Sequence, residues 1–204
     1  MLPRMQRESV RKSEPGRRSF LKIGLGGTLM LAAGGGIFGW RFWSSGYAQL
    51  LAPDETPLAL SIKEFAIAKA FVRALLPAED GFPAGESLGI PQRIDEEVWA
   101  AAPELASDLK AGLLLLEHAT LWSGHRSRFT RLAPDEQRLY LGRLLAGANS
   151  TLCLIALAFK QMTHLFYYGH PAVWQRIGYD GPLVEKAVPP DSAITYQALL
   201  RGRP

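Results

Sequence analysis

The sequence predicts an all-α protein: a small helical bundle with a long loop after its first mature helix, preceded by an N-terminal signal or anchor helix. Apolar residues recur at helical spacing through most of the chain. Each such stretch is bracketed by a start or stop signal, whether a Ser-x-x-Glu box, a Pro or a Gly. No segment shows the period-two alternation of a strand. Apolar residues make up 48% of the 204 and charged residues 21%, enough core for one domain plus extras and too little charge for a disordered chain.

Four parts follow from the pattern: residues 1–48 as a leader, 49–60 as a Pro-containing linker, 61–183 as the helical domain and 184–204 as a C-terminal tail. The leader opens basic and polar. In GRRSFLKIG, Arg17, Arg18, Phe20, Leu21 and Lys22 stand in the order of a twin-arginine export signal, with Gly16 where Ser or Thr is commoner. Residues 23–40 then carry no charge until Arg41. The glycines of that run lower its hydrophobicity and its helix propensity, as suits an export core better than a permanent anchor. Cleavage is expected at Gly46-Tyr47-Ala48, before Gln49, although Trp43 and Arg41 crowd it; an uncleaved anchor through residues 23–43 is the alternative. The implied location is the periplasm.

The net charge of +4 belongs to this leader. Arg4, Arg7, Arg11, Lys12, Arg17, Arg18, Lys22 and Arg41 face only Glu8 and Glu14 there, so acids outnumber bases in the remainder. A body without a basic stripe gives nucleic-acid binding no electrostatic support.

Ser61-Ile62-Lys63-Glu64 is a capping box. The helix behind it places Phe65, Ala68, Val72 and Leu75 on one face until Pro77 stops it. Residues 77–91 are rich in Pro and Gly and read as a long loop. A short helix carries Ile94, Val98 and Ala101, with Asp95, Glu96 and Glu97 as its solvated face. Pro103 starts the next helix, to about Trp122, whose stripe is Leu105, Leu109, Gly112, Leu113, Leu116 and Ala119. Leu113 to Leu116 is apolar all round, which marks this helix as central or docked on both sides. SGHRSRFTRL, residues 123–132, reads as a basic loop. Pro134-Asp135-Glu136 opens a helix with Leu139, Leu141, Leu144 and Leu145 as apolar positions and Gly147 as its stop. Asn149 or Ser150 caps the helix 150–168, with Leu152, Ile155, Phe159, Met162 and Phe166 inward. A turn, one or two helical turns and a Gly-Pro exit follow, and the tail from Val184 reads as extended.

Chemistry is sparse. The one cysteine, Cys153, lies in LCLIALAF, an apolar setting that raises a thiol pKa. It can form neither an internal disulfide nor a C-x-x-C-H haem site nor a four-cysteine cluster. His118, His125, His164 and His170 lack metal-site spacing. There is no G-x-S-x-G elbow, and the glycines of the leader are not followed by a βαβ unit. The sequence therefore assigns no catalytic, cofactor or metal residue. The dense feature is aromatic: Phe159, Phe166, Tyr167, Tyr168, Trp174 and Tyr179 cluster in twenty-odd residues. They either cover the end of the bundle or dock a protein partner, some inward and some outward.

FAIAKAFVRALLPA near the start and THLFYYGHPAVWQRIGYDGP near the end carry a resemblance. With Tyr167, Tyr168, Pro171, Trp174, Gly178, Tyr179, Gly181 and Pro182 in place, residues 61–183 resemble the gluconate 2-dehydrogenase subunit 3 family. The resemblance implies a small, non-catalytic accessory subunit, with Tyr167, Tyr168, Trp174, Tyr179 and Pro182 as candidate docking residues. It implies a large flavoprotein partner of the glucose–methanol–choline class, holding FAD and oxidising a sugar, sugar acid or alcohol. A cytochrome c subunit as electron acceptor is a further implied partner. The twin-arginine translocase would carry the folded pair, the small subunit supplying the signal. The residues alone leave a second reading open: an independent periplasmic enzyme or ligand-binding protein using His164, His170 and the nearby tyrosines.

Overall fold

A computed structural model describes residues 46–182 and 191–202. The export-signal residues Arg17, Arg18, Phe20, Leu21 and Lys22, the stretch 23–43 and the start of the tail lie outside them. The described residues form seven α-helices: α1 Ile62–Leu75, α2 Ile90–Ala100, α3 Pro103–Trp122, α4 Pro134–Leu145, α5 Ser150–Tyr168, α6 Pro171–Trp174 and α7 Asp191–Arg201. Among the described residues there is no strand, and no single helix is long and apolar enough to cross a membrane. The all-α bundle expected from the pattern is what forms.

The most completely buried helix is α1, while α3 is docked on two sides, against α1 and against α5. Phe65, Ala66, Ile67, Ala68, Ala70, Phe71, Val72 and Ala74 are all buried, so α1 is covered on nearly every face. It packs on α2, α3 and α4, while α5 closes the bundle against α2, α3 and α4. The start of α1 has the full capping box: Glu64 N–H donates to Ser61 Oγ at 3.3 Å, and Ser61 N–H donates to Glu64 Oε2 at 2.8 Å. Its alanines let neighbours approach closely, and Phe71 meets Phe159 of α5 at 5.9 Å between ring centroids. In α3 only the second half is buried. Leu105 is 54% exposed, and the core begins at Gly112. A Cβ on Gly112 would stand 3.1 Å from Ile155 Cγ2, so glycine here sets how closely α3 and α5 pack.

The core stripe of α4 runs through Gln137, Tyr140, Leu141 and Leu144, leaving Leu139 63% exposed. The reason lies in the segment before it. Residues 123–132 were expected as a basic loop, yet Phe129, Thr130 and Arg128 are buried, in and beside a 3₁₀ turn Phe129–Arg131. Gln137 Nε2 donates to Phe129 O at 2.9 Å, which turns α4 by one position relative to a purely leucine-led reading. The loop after α1 does form. Its Gly85 sits where a Cβ would come within 2.8 Å of Val72 Cγ1, so the loop lies tight on α1.

Three further differences concern Asp95. The acids of α2 are not a solvated face: Asp95 is fully buried and Glu96 nearly so, with only Glu97 exposed. Asp95 accepts the backbone N–H groups of Leu58 (2.8 Å), Ala59 (3.1 Å) and Leu60 (2.7 Å). It also accepts Tyr196 Oη from α7 at 2.6 Å. The segment 49–60 is thus a strap bound to the bundle rather than a loose linker. Glu55 holds its middle, accepting Lys69 Nζ at 2.6 Å. The expected extended tail is helical over Asp191–Arg201, because Tyr196, 2% exposed, anchors it between Asp95 and the ring of Trp99 at 5.9 Å.

Asp95→Ala is predicted to destabilise the fold by about 3 kcal/mol, since it strands buried N–H donors as well as removing their acceptor. Tyr196→Phe, which keeps the ring, is predicted to cost about 1 kcal/mol. Urea unfolding followed by circular dichroism measures both.

Candidate functional site

The aromatic segment is built at the C-terminal end of α5. Gly169 ends that helix, its N–H donating to Leu165 O at 3.0 Å. His170 caps α6, with Nδ1 accepting Ala172 N–H at 3.2 Å, and Pro171 follows at the first turn. Trp174 Nε1 reaches back to donate to Tyr168 O at 3.1 Å. The chain then turns through Gly178, at φ +68°, and lays Tyr179 edge-on to Trp174 at 5.4 Å. Gly181, at φ +111°, passes close over the Trp174 ring, where a Cβ would sit 3.4 Å from Cζ3. The Gly-Tyr-x-Gly spacing is thus the backbone needed to wrap one tryptophan.

The five candidate docking residues divide by direction. Tyr167 is buried, and its hydroxyl donates to Pro83 O at 2.8 Å, tying the end of α5 to the loop after α1. Burial raises its pKa, and Tyr168 adds to the rise. Tyr168 and Tyr179 are 46% and 44% exposed. Pro182 is exposed and Trp174 half-buried. Tyr168, Trp174 and Tyr179 line a shallow depression with Gln161, His164, Leu165 and Gly169. The His164 ring lies tilted against Tyr168 at 5.6 Å between centroids, and its pKa is lowered by burial and by Lys160. His164 and His170 therefore differ in role: one edges the depression, the other caps a helix. Among the described residues no three of His, Cys, Asp and Glu gather as a metal site. Cys153 is free and half-buried, its Sγ 3.8 Å from Leu145 O.

The pattern reading missed the rest of this face. Leu154 (60% exposed), Leu157 (38%) and Leu165 (71%) lie on α5 at spacings that align with Gln161 and Tyr168. They form a second apolar stripe, opposite in role to the inward one of Leu152, Ala156, Phe159, Thr163 and Tyr167. The signal was present, because α5 is apolar on two faces and a bundle buries only one. The face offers apolar contact area with Gln161 in its midst.

A second cluster is internal. Glu117 of α3 has no exposure. Its carboxylate accepts Tyr47 Oη at 2.8 Å, Thr130 N–H at 3.0 Å and Thr130 Oγ1 at 2.7 Å, with Arg128 Nε at 3.5 Å. The Arg128 guanidinium lies 4.0 Å from the Tyr47 ring centroid. Burial raises the Glu117 and Tyr47 pKa values and lowers that of Lys63. Lys63 Nζ stands 3.0 Å from His118 Nε2, and because an ammonium only donates, that nitrogen accepts. Burial, then Lys63 and Arg128, push the His118 pKa down to about 4. The adjacency of Glu117 and His118 in sequence gave no hint of this, since their partners come from residues far along the chain.

A family model described as gluconate 2-dehydrogenase subunit 3 matches residues 62–181. No curated protein and no solved structure matches the chain.

Two outcomes are predicted for the internal cluster. Glu117→Ala, which strands the donors of Tyr47 and Thr130, costs about 3 kcal/mol in urea unfolding. His118 binds its proton at pH 6.5 when unfolded but only near pH 4 when folded, so acid favours the unfolded chain in that window. The melting temperature of the parent protein therefore falls relative to His118→Gln between pH 6.5 and about pH 4, which differential scanning at stepped pH measures.

Proposed function

The chain belongs to the gluconate 2-dehydrogenase subunit 3 family, an accessory subunit associated with a larger dehydrogenase complex, and we propose that it is the non-catalytic small subunit and export escort of a periplasmic flavoprotein. In this reading the partner is an FAD-dependent dehydrogenase of the glucose–methanol–choline class, acting on a sugar, sugar acid or alcohol. A cytochrome c subunit receives its electrons. The single observation that carries the reading is the exposed leucine and aromatic face running from Leu154 through Leu165 and Tyr168 to Tyr179. Large apolar side chains in a row on a helix that is already packed on its other side suit a standing partner.

The leader supports the escort role. Arg17, Arg18, Phe20, Leu21 and Lys22 match a route for folded passengers, and a flavoprotein must fold around its cofactor before it moves. A partner bound to the α5 face in the cytoplasm would travel on this chain's signal. Tyr168, Trp174 and Tyr179 supply anchors of the kind that dominate interface energy, while Tyr167 holds the platform beneath them.

Arg17→Lys with Arg18→Lys is expected to leave both this chain and a yellow partner in the cytoplasm, seen by fractionation and flavin absorbance. A flavoprotein that still reached the periplasm would refute the escort role. Tyr168→Ala with Tyr179→Ala is expected to weaken co-purification of the partner at least tenfold, read as a dissociation constant. Turnover of a substrate by the purified chain alone would instead favour the independent-enzyme reading.

A further inference from the structure

We propose that the exported protein keeps Tyr47: processing takes place at or before the Gly46–Tyr47 bond, and the cut after Ala48 that the small residues suggest is not made. The proposal rests on the export reading above and adds to it where the mature chain begins.

Tyr47 belongs to the folded body. It is 2% exposed, and its hydroxyl donates to Glu117 across 70 positions of sequence at 2.8 Å. Its ring is covered by Arg128 at 4.0 Å and approached by Lys63 at 5.6 Å. Glu117 has no solvent to fall back on, so loss of the phenol leaves a buried carboxylate short of a donor and Arg128 without its ring. A terminus at Gln49 removes both together.

The backbone argues the same way. The bond after Ala48 is wound into the 3₁₀ turn Ala48–Leu50, where Leu50 N–H donates to Tyr47 O at 2.9 Å. A protease needs an accessible, extended substrate, and exposing this bond means lifting Tyr47 out of its site. Folding precedes transport on the twin-arginine route, so Tyr47 is already seated when the peptidase acts. One bond offers the same small-residue chemistry and leaves Tyr47 in the mature chain. Ser44-Ser45-Gly46 places serine and glycine three and one residues before Tyr47. Gly46 holds φ +92° at the margin of the body, next to Arg131.

The test is intact mass and N-terminal sequencing of the full chain, expressed in its own host with a C-terminal tag and isolated from the periplasmic and membrane fractions. A terminus at Tyr47, or any residue before it, is the expected result. An exported chain beginning at Gln49 or beyond overturns the proposal alone. A chain never exported overturns the export reading and this proposal together. As a second measurement, Tyr47→Phe in the full chain is expected to melt about 5 °C lower, since only the donor to Glu117 is lost. Melting unchanged from the parent would remove the structural ground for retention.

Discussion

Asp95 makes three parts of the chain agree that would otherwise have no reason to meet. The strap before α1 has backbone N–H groups that no helix or strand satisfies, and buried amides require acceptors. One carboxylate on α2 answers for three of them and for the phenol of Tyr196. Remove that acceptor and the strap, α2 and α7 lose their common point. Glu117 does the same work at the other end of the strap, where it gathers Tyr47, Thr130 and Arg128. The helices could pack by area alone, but the irregular segments between them are held in place by two acids hidden from water.

Packing then sets the geometry of the face that meets the outside. The hydrogen of Gly112 lets α5 settle close to α3. With its inward stripe spent there, the outward leucines of α5 have nothing within the described chain to cover them. Tyr167 fixes the end of this helix to the loop after α1 through Pro83, so the aromatic turn of Trp174 and Tyr179 stands on a braced support.

Helix positions were legible in the sequence because they rest on local chemistry. Ser61 with Glu64, Pro103, Pro134 and Asn149 each mark a start by a hydrogen bond or a fixed φ that needs no tertiary information. The depth at which α1 is buried was not legible because Leu113 to Leu116 is locally more apolar, whereas burial follows what neighbours contribute. Leu139 and Leu105 misled for the same reason. Asp95, Glu117 and Tyr196 were illegible since charge and a single tyrosine read as surface until partners 11 to 101 positions away are known. Of the aromatic site, the Gly-Tyr-x-Gly-Pro segment was visible as a motif; the inward turn of Tyr167 and the leucine row were not, because they depend on which face of α5 the bundle takes.

The leucine row on α5 has a bearing on abundance. If a partner covers Leu154, Leu157 and Leu165, as proposed, an unbound chain would show them to water and be the more exposed to chaperones and proteases. Covering the row shifts the balance by mass action, so the lifetime of the small chain follows the supply of whatever covers it. Such a surface would then act as a counting device, with surplus copies lost and matched copies kept. The two proteins can then stay in step without any matching of their rates of synthesis.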